Sequence, residues 1–332
     1  MRTLVLAAIG AIVLAGGWYF GPGANQDSRV VIASGALVFP ELAGKLQTAA
    51  TIEITNKGKI LRIVRGPEFW GLADRNGYKV QQDKLREMLT GLTELRISEL
   101  RTADPTQYDR LGVDDPMGAN STANLLRVLD ASGKPIAELI TGHRRVRTAG
   151  NLPETLYIRR PGEAQSWLAE GRVQVDGDPQ LWFERDIVNI PLDRVASVVS
   201  RRGEAVLNFA KVDGKPALTG DHPPLDDYRV EDVFRALAQL TLTDVSVAAK
   251  APGEKIGEAV YTLTDGVRIT VSVARADKDI WVQLAAAGDG AAALQAGFAG
   301  WAFQLGAWKE KSFLPVMDDL KAEEPAKPAA SQ

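Results

Sequence analysis

The feature that most restricts the fold is an apolar spacing that occurs twice. Leu85, Met88, Leu89, Leu92 and Leu95 stand at i, i+3, i+4, i+7 and i+10, and Val230, Val233, Phe234, Leu237 and Leu240 repeat those intervals 145 positions later. Such spacing lays five apolar side chains along one stripe of a helix and leaves polar residues opposite. Past each stripe, Leu95-Arg96-Ile97-Ser98-Glu99-Leu100 and Leu240-Thr241-Leu242-Thr243-Asp244-Val245 change to apolar/polar alternation, as where a helix passes into a strand. The stretches 83–100 and 230–245 therefore read as the centres of a duplicated module. Asp83 and the Asp226-Asp227 pair are the expected helix starts, because a carboxylate accepts from the free N–H groups of a first turn. Gly91 lies inside the first helix at a cost of about 1 kcal/mol, which the buried stripe outweighs.

Short strands surround both stripes. Thr51 to Ile54 and Ile60 to Arg65 flank the turn Asn56-Lys57-Gly58, Trp70-Gly71-Leu72 reads as a third strand, and Asn76-Gly77 as a turn. Leu125 to Leu129 and Ile136 to Ile140 make a hairpin around Ala131–Lys134, followed by a strand at Leu156-Tyr157-Ile158 and a short helix or turn at Trp167-Leu168-Ala169. In the second copy, Ala196 to Ser200 and Ala205 to Lys211 flank Arg202-Gly203, Val260 to Thr264 and Val267 to Val273 flank Asp265-Gly266, and Trp281-Val282 answers Tyr157-Ile158. The loop Tyr108–Pro116 has no counterpart there. The expected fold class is α+β: a tandem duplicated module, each copy an antiparallel sheet with one amphipathic helix on it, behind an N-terminal transmembrane helix. The corresponding divisions are 1–22 anchor, 23–36 spacer, 37–170 first module, 171–191 connector, 192–320 second module and 321–332 a tail too polar to bury a core.

The anchor is Thr3 to Phe20. Its residues, among them Thr3, Leu4, Val5, Ile9, Ile12, Val13, Leu14, Trp18, Tyr19 and Phe20, carry no charge and reach about 27 Å as a helix, close to the hydrocarbon thickness. Arg2 before the run and the aromatic Trp18-Tyr19-Phe20 at its far end predict a cytoplasmic N-terminus with the bulk of the chain outside. A cleaved signal peptide fits less well. Its apolar region is ordinarily about 7–15 residues, and Pro22 stands badly for cleavage near Ala24. Ala7, Ala11 and Ala15 recur at four-residue intervals, which permits close helix packing but is also ordinary span composition.

A net charge of −3 argues against nucleic acid as the main partner, and the lack of cysteine removes disulfides, thiolate metal sites, cysteine nucleophiles and an N-terminal lipid-modified cysteine.

The order Leu37-Val38-Phe39-Pro40-Glu41-Leu42, the Ile52/Ile54 strand, Trp70-Gly71-Leu72, the helix, Tyr108…Leu111-Gly112-Val113…Pro116, Gly142 and Tyr157 resembles the bacterial domain-of-unknown-function family 4340, over nearly the whole chain to about Leu320. The resemblance implies a single-span inner-membrane protein facing the periplasm, in the company of ABC transporters of the gliding-motility type. It implies no catalytic residue and no cofactor.

Motifs that carry chemistry are few. Phosphate-cradling loops, zinc-ligand helices and the nucleophile elbow are absent from the sequence. The two histidines, His143 and His222, read as exposed loop residues. Asp104, Asp109, Asp114 and Asp115, like Asp176 and Asp178, lack the spacing of a calcium loop and read as turn and helix-start residues. Trp70, Trp281 and Trp301 fall at core-like strand positions. Arg144, Arg145, Arg147, Arg159 and Arg160 lie in or beside two adjacent strands, where they form either a partner-binding patch or a charged strand edge. The resulting expectation is a non-enzymatic, membrane-anchored periplasmic interaction protein, with inner membrane and an ABC-type permease or auxiliary subunit as its partners. The alternatives are a module binding an anionic glycan or another envelope ligand, and a hydrolase built on His143 or His222.

Overall fold

The computed structural model describes residues 34–146 and 153–322. The anchor at 3–20, Arg147 and the tail from 323 lie outside the described residues. Among the described residues no helix is long and apolar enough to cross a membrane.

The first sheet is made of β1 (Ala49–Asn56), β2 (Lys59–Arg65), β3 (Trp70–Leu72), β4 (Tyr78–Lys79), β5 (Arg96–Leu100), β6 (Asn124–Asp130), β7 (Pro135–Arg145), β8 (Thr155–Arg159) and β9 (Ser166–Glu170). The second half supplies β10 (Asp186–Val188), β11 (Val195–Arg202), β12 (Ala205–Val212), β13 (Lys215–Leu218), β14 (Leu240–Thr241), β15 (Asp244–Val247), β16 (Glu254–Leu263), β17 (Arg268–Ala276), β18 (Asp279–Ala287) and β19 (Trp301–Leu305). The helices are α1 (Leu42–Lys45), α2 (Gln82–Glu94), α3 (Tyr108–Leu111), α4 (Asp227–Phe234), α5 (Ala292–Phe298), α6 (Lys309–Phe313) and α7 (Met317–Leu320). The protein is thus α+β with antiparallel sheets.

Both large sheets follow one strand order. The first runs β3-β2-β1-β6-β7-β8-β9-β5 with β4 added at its edge, and the second runs β13-β12-β11-β16-β17-β18-β19-β15. Even an irregularity is shared: the pairing of β1 with β6 shifts between Ala49 and Thr51, and that of β11 with β16 between Val195 and Ser197. The chain segment before each sheet pairs with the strand that follows the helix. Gly35 to Val38 hydrogen-bonds to Leu95 and Ile97, through Gly35 N to Ile97 O (2.6 Å), Ile97 N to Ala36 O (2.8 Å) and Val38 N to Leu95 O (2.8 Å). In the second half β10 pairs with β14 in the same role.

The two stripes are buried as their spacing predicts. Leu85, Met88, Leu92 and Leu95 are inaccessible, as are Val230, Val233, Phe234, Leu237 and Leu240, while Leu89 is half-buried. The helices carrying them differ, however. Helix α4 stops at Phe234, so Leu237 and Leu240 reach the core from a turn and a strand. Asp226 caps α4, accepting from Tyr228 N (2.9 Å) and Arg229 N (3.4 Å). Asp83 does not cap α2. Gln81 occupies that position without a side-chain cap, and Asp83, one turn-step inside the helix, pairs with Arg86 at 2.5 Å. The second half also carries more than one helix, since α5 packs on β18 and α6 on α4.

Trp167-Leu168-Ala169 is strand β9 and not a helix or turn. It is paired on both edges, with β8 and β5, and both its faces are covered, Trp167 and Ala169 by the main core and Leu168 by the smaller one, so the residues read as a continuous apolar run without a period. Residues 171–191, read as a connector, contribute Val173, Trp182, Phe183 and Ile190 to the interior.

One hydrophobic core runs through both halves. At the junction Tyr78 stacks edge-on against Trp301 (centroids 5.0 Å apart) and Phe183 (6.2 Å), and its hydroxyl donates to Glu184 O (3.1 Å). Arg75 grips Asp244 with two hydrogen bonds of 2.8 and 3.0 Å. A second, smaller core lies on the far face of the first sheet, where Tyr108, Val113 and Ala123 cover Ile140, Tyr157 and Leu168. Close approach of this strap to the sheet requires a glycine at position 142: a Cβ there would stand 2.2 Å from Leu111 O.

Candidate functional site

The arginines divide between the two faces of the first sheet. Arg145 lies opposite Thr155 and Arg159 opposite Ile140, which places both on the strap-covered face. Arg144 lies opposite the buried Leu156, on the face that carries the main core. Each has work inside the molecule. Arg159 donates to Val113 O (2.9 Å), Asp114 O (3.3 Å) and Glu163 O (3.2 Å), and its guanidinium sits 4.6 Å from the Tyr108 ring centroid. It therefore pins the strap to the sheet. Arg145 and Arg101 flank the Tyr157 ring at 5.4 and 5.8 Å. Arg144 pairs with Glu154 (3.3 Å), and Arg160 donates to Val38 O (3.0 Å), fastening the first strand segment. Arg147 lies outside the described residues. The structure does not gather the described four into one patch.

The other candidates are also used locally. His143 stands in strand β7 rather than in a loop, exposed, 3.3 Å from Thr122 Oγ1; His222 is exposed in its loop, 2.9 Å from Pro223 O. Asp104 accepts from Thr106 N, Asp114 from Ser121 Oγ, Asp115 from Met117 N and Asp178 from Gln180 N. Among the described residues no cluster of three metal-ligating side chains occurs. Trp70 and Trp301 are half-buried against the core, while Trp281 borders a groove between the halves with Arg75, Asp244 and Lys250.

The most distinctive surface lies on the second half, between α4 and the segment 308–320. Burying Val230, Val233 and Phe234 turns the opposite side of α4 outward, with Tyr228, Arg229, Asp232 and Arg235 on it. Trp308, Lys311, Asp319 and Leu320 form the facing wall of a groove of about 470 Å3. Tyr228 is 80% exposed and Trp308 68%, the two most exposed aromatic side chains among the described large hydrophobics. Both are held in place at the backbone: Tyr228 by the Asp226 cap, Trp308 by the start of α6.

Beneath Trp308 is a buried cation. Lys309 Nζ donates to Ala236 O (3.0 Å) and sits 4.8 Å from the Trp308 ring centroid. Burial pulls its pKa below the ordinary lysine value, opposed by Asp232. Asp232 accepts from Ser312 Oγ at 2.5 Å; Ser312 is only 1% exposed and enclosed by the fold, whereas Asp232 itself is exposed on the groove wall. Lys311 bridges to Asp319 (2.8 Å) and Arg235 to Glu231 (2.8 Å). Burial alone would raise the Asp319 carboxyl, yet hydrogen bonds from Lys311 and Val316 N–H hold it below the usual carboxylate range. The carboxylates are thus engaged within the fold, whereas Lys311 and Arg235 keep more than half of their side-chain surface in solvent.

This arrangement suits recognition by stacking and charge. The equivalent positions on α2, counted 145 residues back, are Asp83, Lys84, Glu87 and Thr90, with no aromatic side chain among them. The aromatic rim is therefore not a requirement of the fold. Sequence reasoning missed it because Tyr228 stands off the apolar stripe and Trp308 lies in a short segment without period; the one available signal was a large aromatic on the polar side of a helix.

No curated protein matches this sequence. A family model, Domain of unknown function (DUF4340), matches residues 70–264, from β3 of the first sheet, across the junction, to the β16–β17 turn of the second. That is more than half of the chain, and the protein belongs to this family.

Proposed function

We propose that this protein is a non-enzymatic accessory protein, held to the inner membrane by residues 3–20 with its folded body in the periplasm. It serves an ABC-type transport or envelope assembly and docks a protein partner in the groove between Tyr228 and Trp308. The observation that carries the reading is the pair of exposed aromatic rings, Tyr228 and Trp308, in one groove with Lys311 and Arg235, where the matching face of α2 carries no aromatic side chain. The shared strand order supports an origin by tandem duplication, after which one copy changed its surface. Purification of the full chain in mild detergent should recover a permease or auxiliary subunit, and Trp308→Ala with Tyr228→Ala should release it. Recovery of the unaltered protein alone would sink the proposal.

Stackable rings beside Lys311 and Arg235 also favour a second reading, an anionic glycan as the ligand. Quenching of tryptophan fluorescence by a uronic-acid oligosaccharide, lost in Trp308→Ala, would move the assignment to that reading.

A further inference from the structure

The outward faces of the two sheets differ at matching positions. On the first, a row of alternating charges crosses four strands: Arg62 on β2, Glu53 on β1, Arg127 on β6 and Glu138 on β7, joined at 2.8, 3.1 and 2.8 Å. Beside this row the Tyr108–Val113 strap covers the sheet. The shared register puts Asn208, Val199, Val260 and Thr270 at the same places on the second sheet, with Ala285 continuing the row on β18. No charge remains in it. Val199, Val260 and Thr270 are half-buried, Asn208 and Ala285 are exposed, and neither valine belongs to either hydrophobic core. Residues 248–253 occupy the chain position of the strap and are too few to cover the face.

We infer that this neutral face of the second sheet is a self-association surface, on which a second copy of the chain packs sheet against sheet. Three observations point to a copy of itself. The five strands β12, β11, β16, β17 and β18 run for 8 to 10 residues each, so the face measures about 24 by about 27 Å. Pairing two such faces buries about 1,300 Å2, within the range of stable interfaces. Charge is depleted at the centre, as in interface cores. The bordering charges are the Arg201–Glu258 pair on one side and Arg268 on the other, so both signs are present and a twofold axis can set them against each other. A flat row of Val, Thr, Ala and Asn offers no pocket or charge that would select a different macromolecule.

The chain has no cysteine, which makes the test clean. Val260→Cys and Arg62→Cys are made separately in the full chain, in its membrane, and treated with a bis-maleimide of about 10 Å reach, the spacing of packed sheets. Val260→Cys should give a band at twice the chain mass, and Arg62→Cys, on the corresponding face of the first sheet, should give none. Adding Thr270→Lys to Val260→Cys should reduce the band at least tenfold, and in ultracentrifugation of the detergent-solubilised chain Thr270→Lys should shift the mass to that of one copy. Equal cross-linking at the two positions, a product of some other mass, or a dimer undiminished by Thr270→Lys would overturn the inference.

Discussion

The two stripes have the same spacing and both face the core, but α2 carries four of its five residues and α4 only three of the other five. The first helix is 13 residues long, without a side-chain cap, and crossed at Gly91 so closely that a Cβ would stand 1.9 Å from Arg172 O. The second is 8 residues long, capped by Asp226, and followed by a turn in which Ala236, the position matching Gly91, accepts from the buried Lys309 through its carbonyl. The difference teaches that apolar spacing decides which side is buried, while helix length and ends are decided by what lies across it. The first helix is backed by a single strand of chain, 171–173, so it can continue. The second meets α6, so it gives way to a turn, with Gln239 in the left-handed region (φ 46°).

The comparison assumes that both halves draw on one core. Trp182, fully buried with its indole N–H donating to Asp176 O, stands at the junction. Trp182→Ala should cost about 3–5 kcal/mol and lower a single unfolding transition monitored by calorimetry; two separated transitions in the unaltered protein would break the comparison. Next in size is the strap that only the first half possesses. Gly142→Ala should cost about 1–3 kcal/mol by forcing Leu111 away, while hydrogen exchange in the second half stays unchanged. The caps sharpen the contrast further: Asp226→Ala should cost about 1 kcal/mol and Asp83→Ala only a few tenths, read from urea midpoints.

The smallest effect is on pH. The Asp319 carboxyl titrates lower in the fold than in the unfolded chain, so its stabilising contribution is present above the unfolded value of about 4 and disappears as pH falls through the folded one. Asp319→Asn should therefore narrow the loss of unfolding midpoint between neutral and acid pH. An unchanged slope would mean that the Lys311 and Val316 contacts contribute nothing.

Much of the fold was legible because the sequence is locally consistent. Hairpins around Asn56-Lys57-Gly58, Asp265-Gly266 and Arg202-Gly203 form as their turn residues and alternation require. What was hidden was whatever depended on burial from two sides. Trp167-Leu168-Ala169 has no period because both faces are covered, and residues 171–191 look like a linker because Trp182 and Phe183 stand among polar neighbours. The arginines form a cluster in the sequence, but consecutive strand residues such as Arg144 and Arg145 point to opposite faces, and the register shift between Thr141 and Arg144 decides that it is Arg145 that shares the face of Arg159. Tyr228 and Trp308 lie about 80 positions apart in sequence, and only the packing of α6 against α4 brings them to one groove.

The clamp of Gly35–Val38 on the strand after α2 has a mechanical consequence. A pull on the chain at Ser34, directed along that strand, loads the three backbone hydrogen bonds, the Ser34 Oγ contact to Ser98 O and the Arg160 contact to Val38 O in parallel rather than in succession. Tension on this end is therefore met by shear resistance across the sheet edge, and the folded body behaves as a load-bearing knot instead of a seam that opens one stitch at a time.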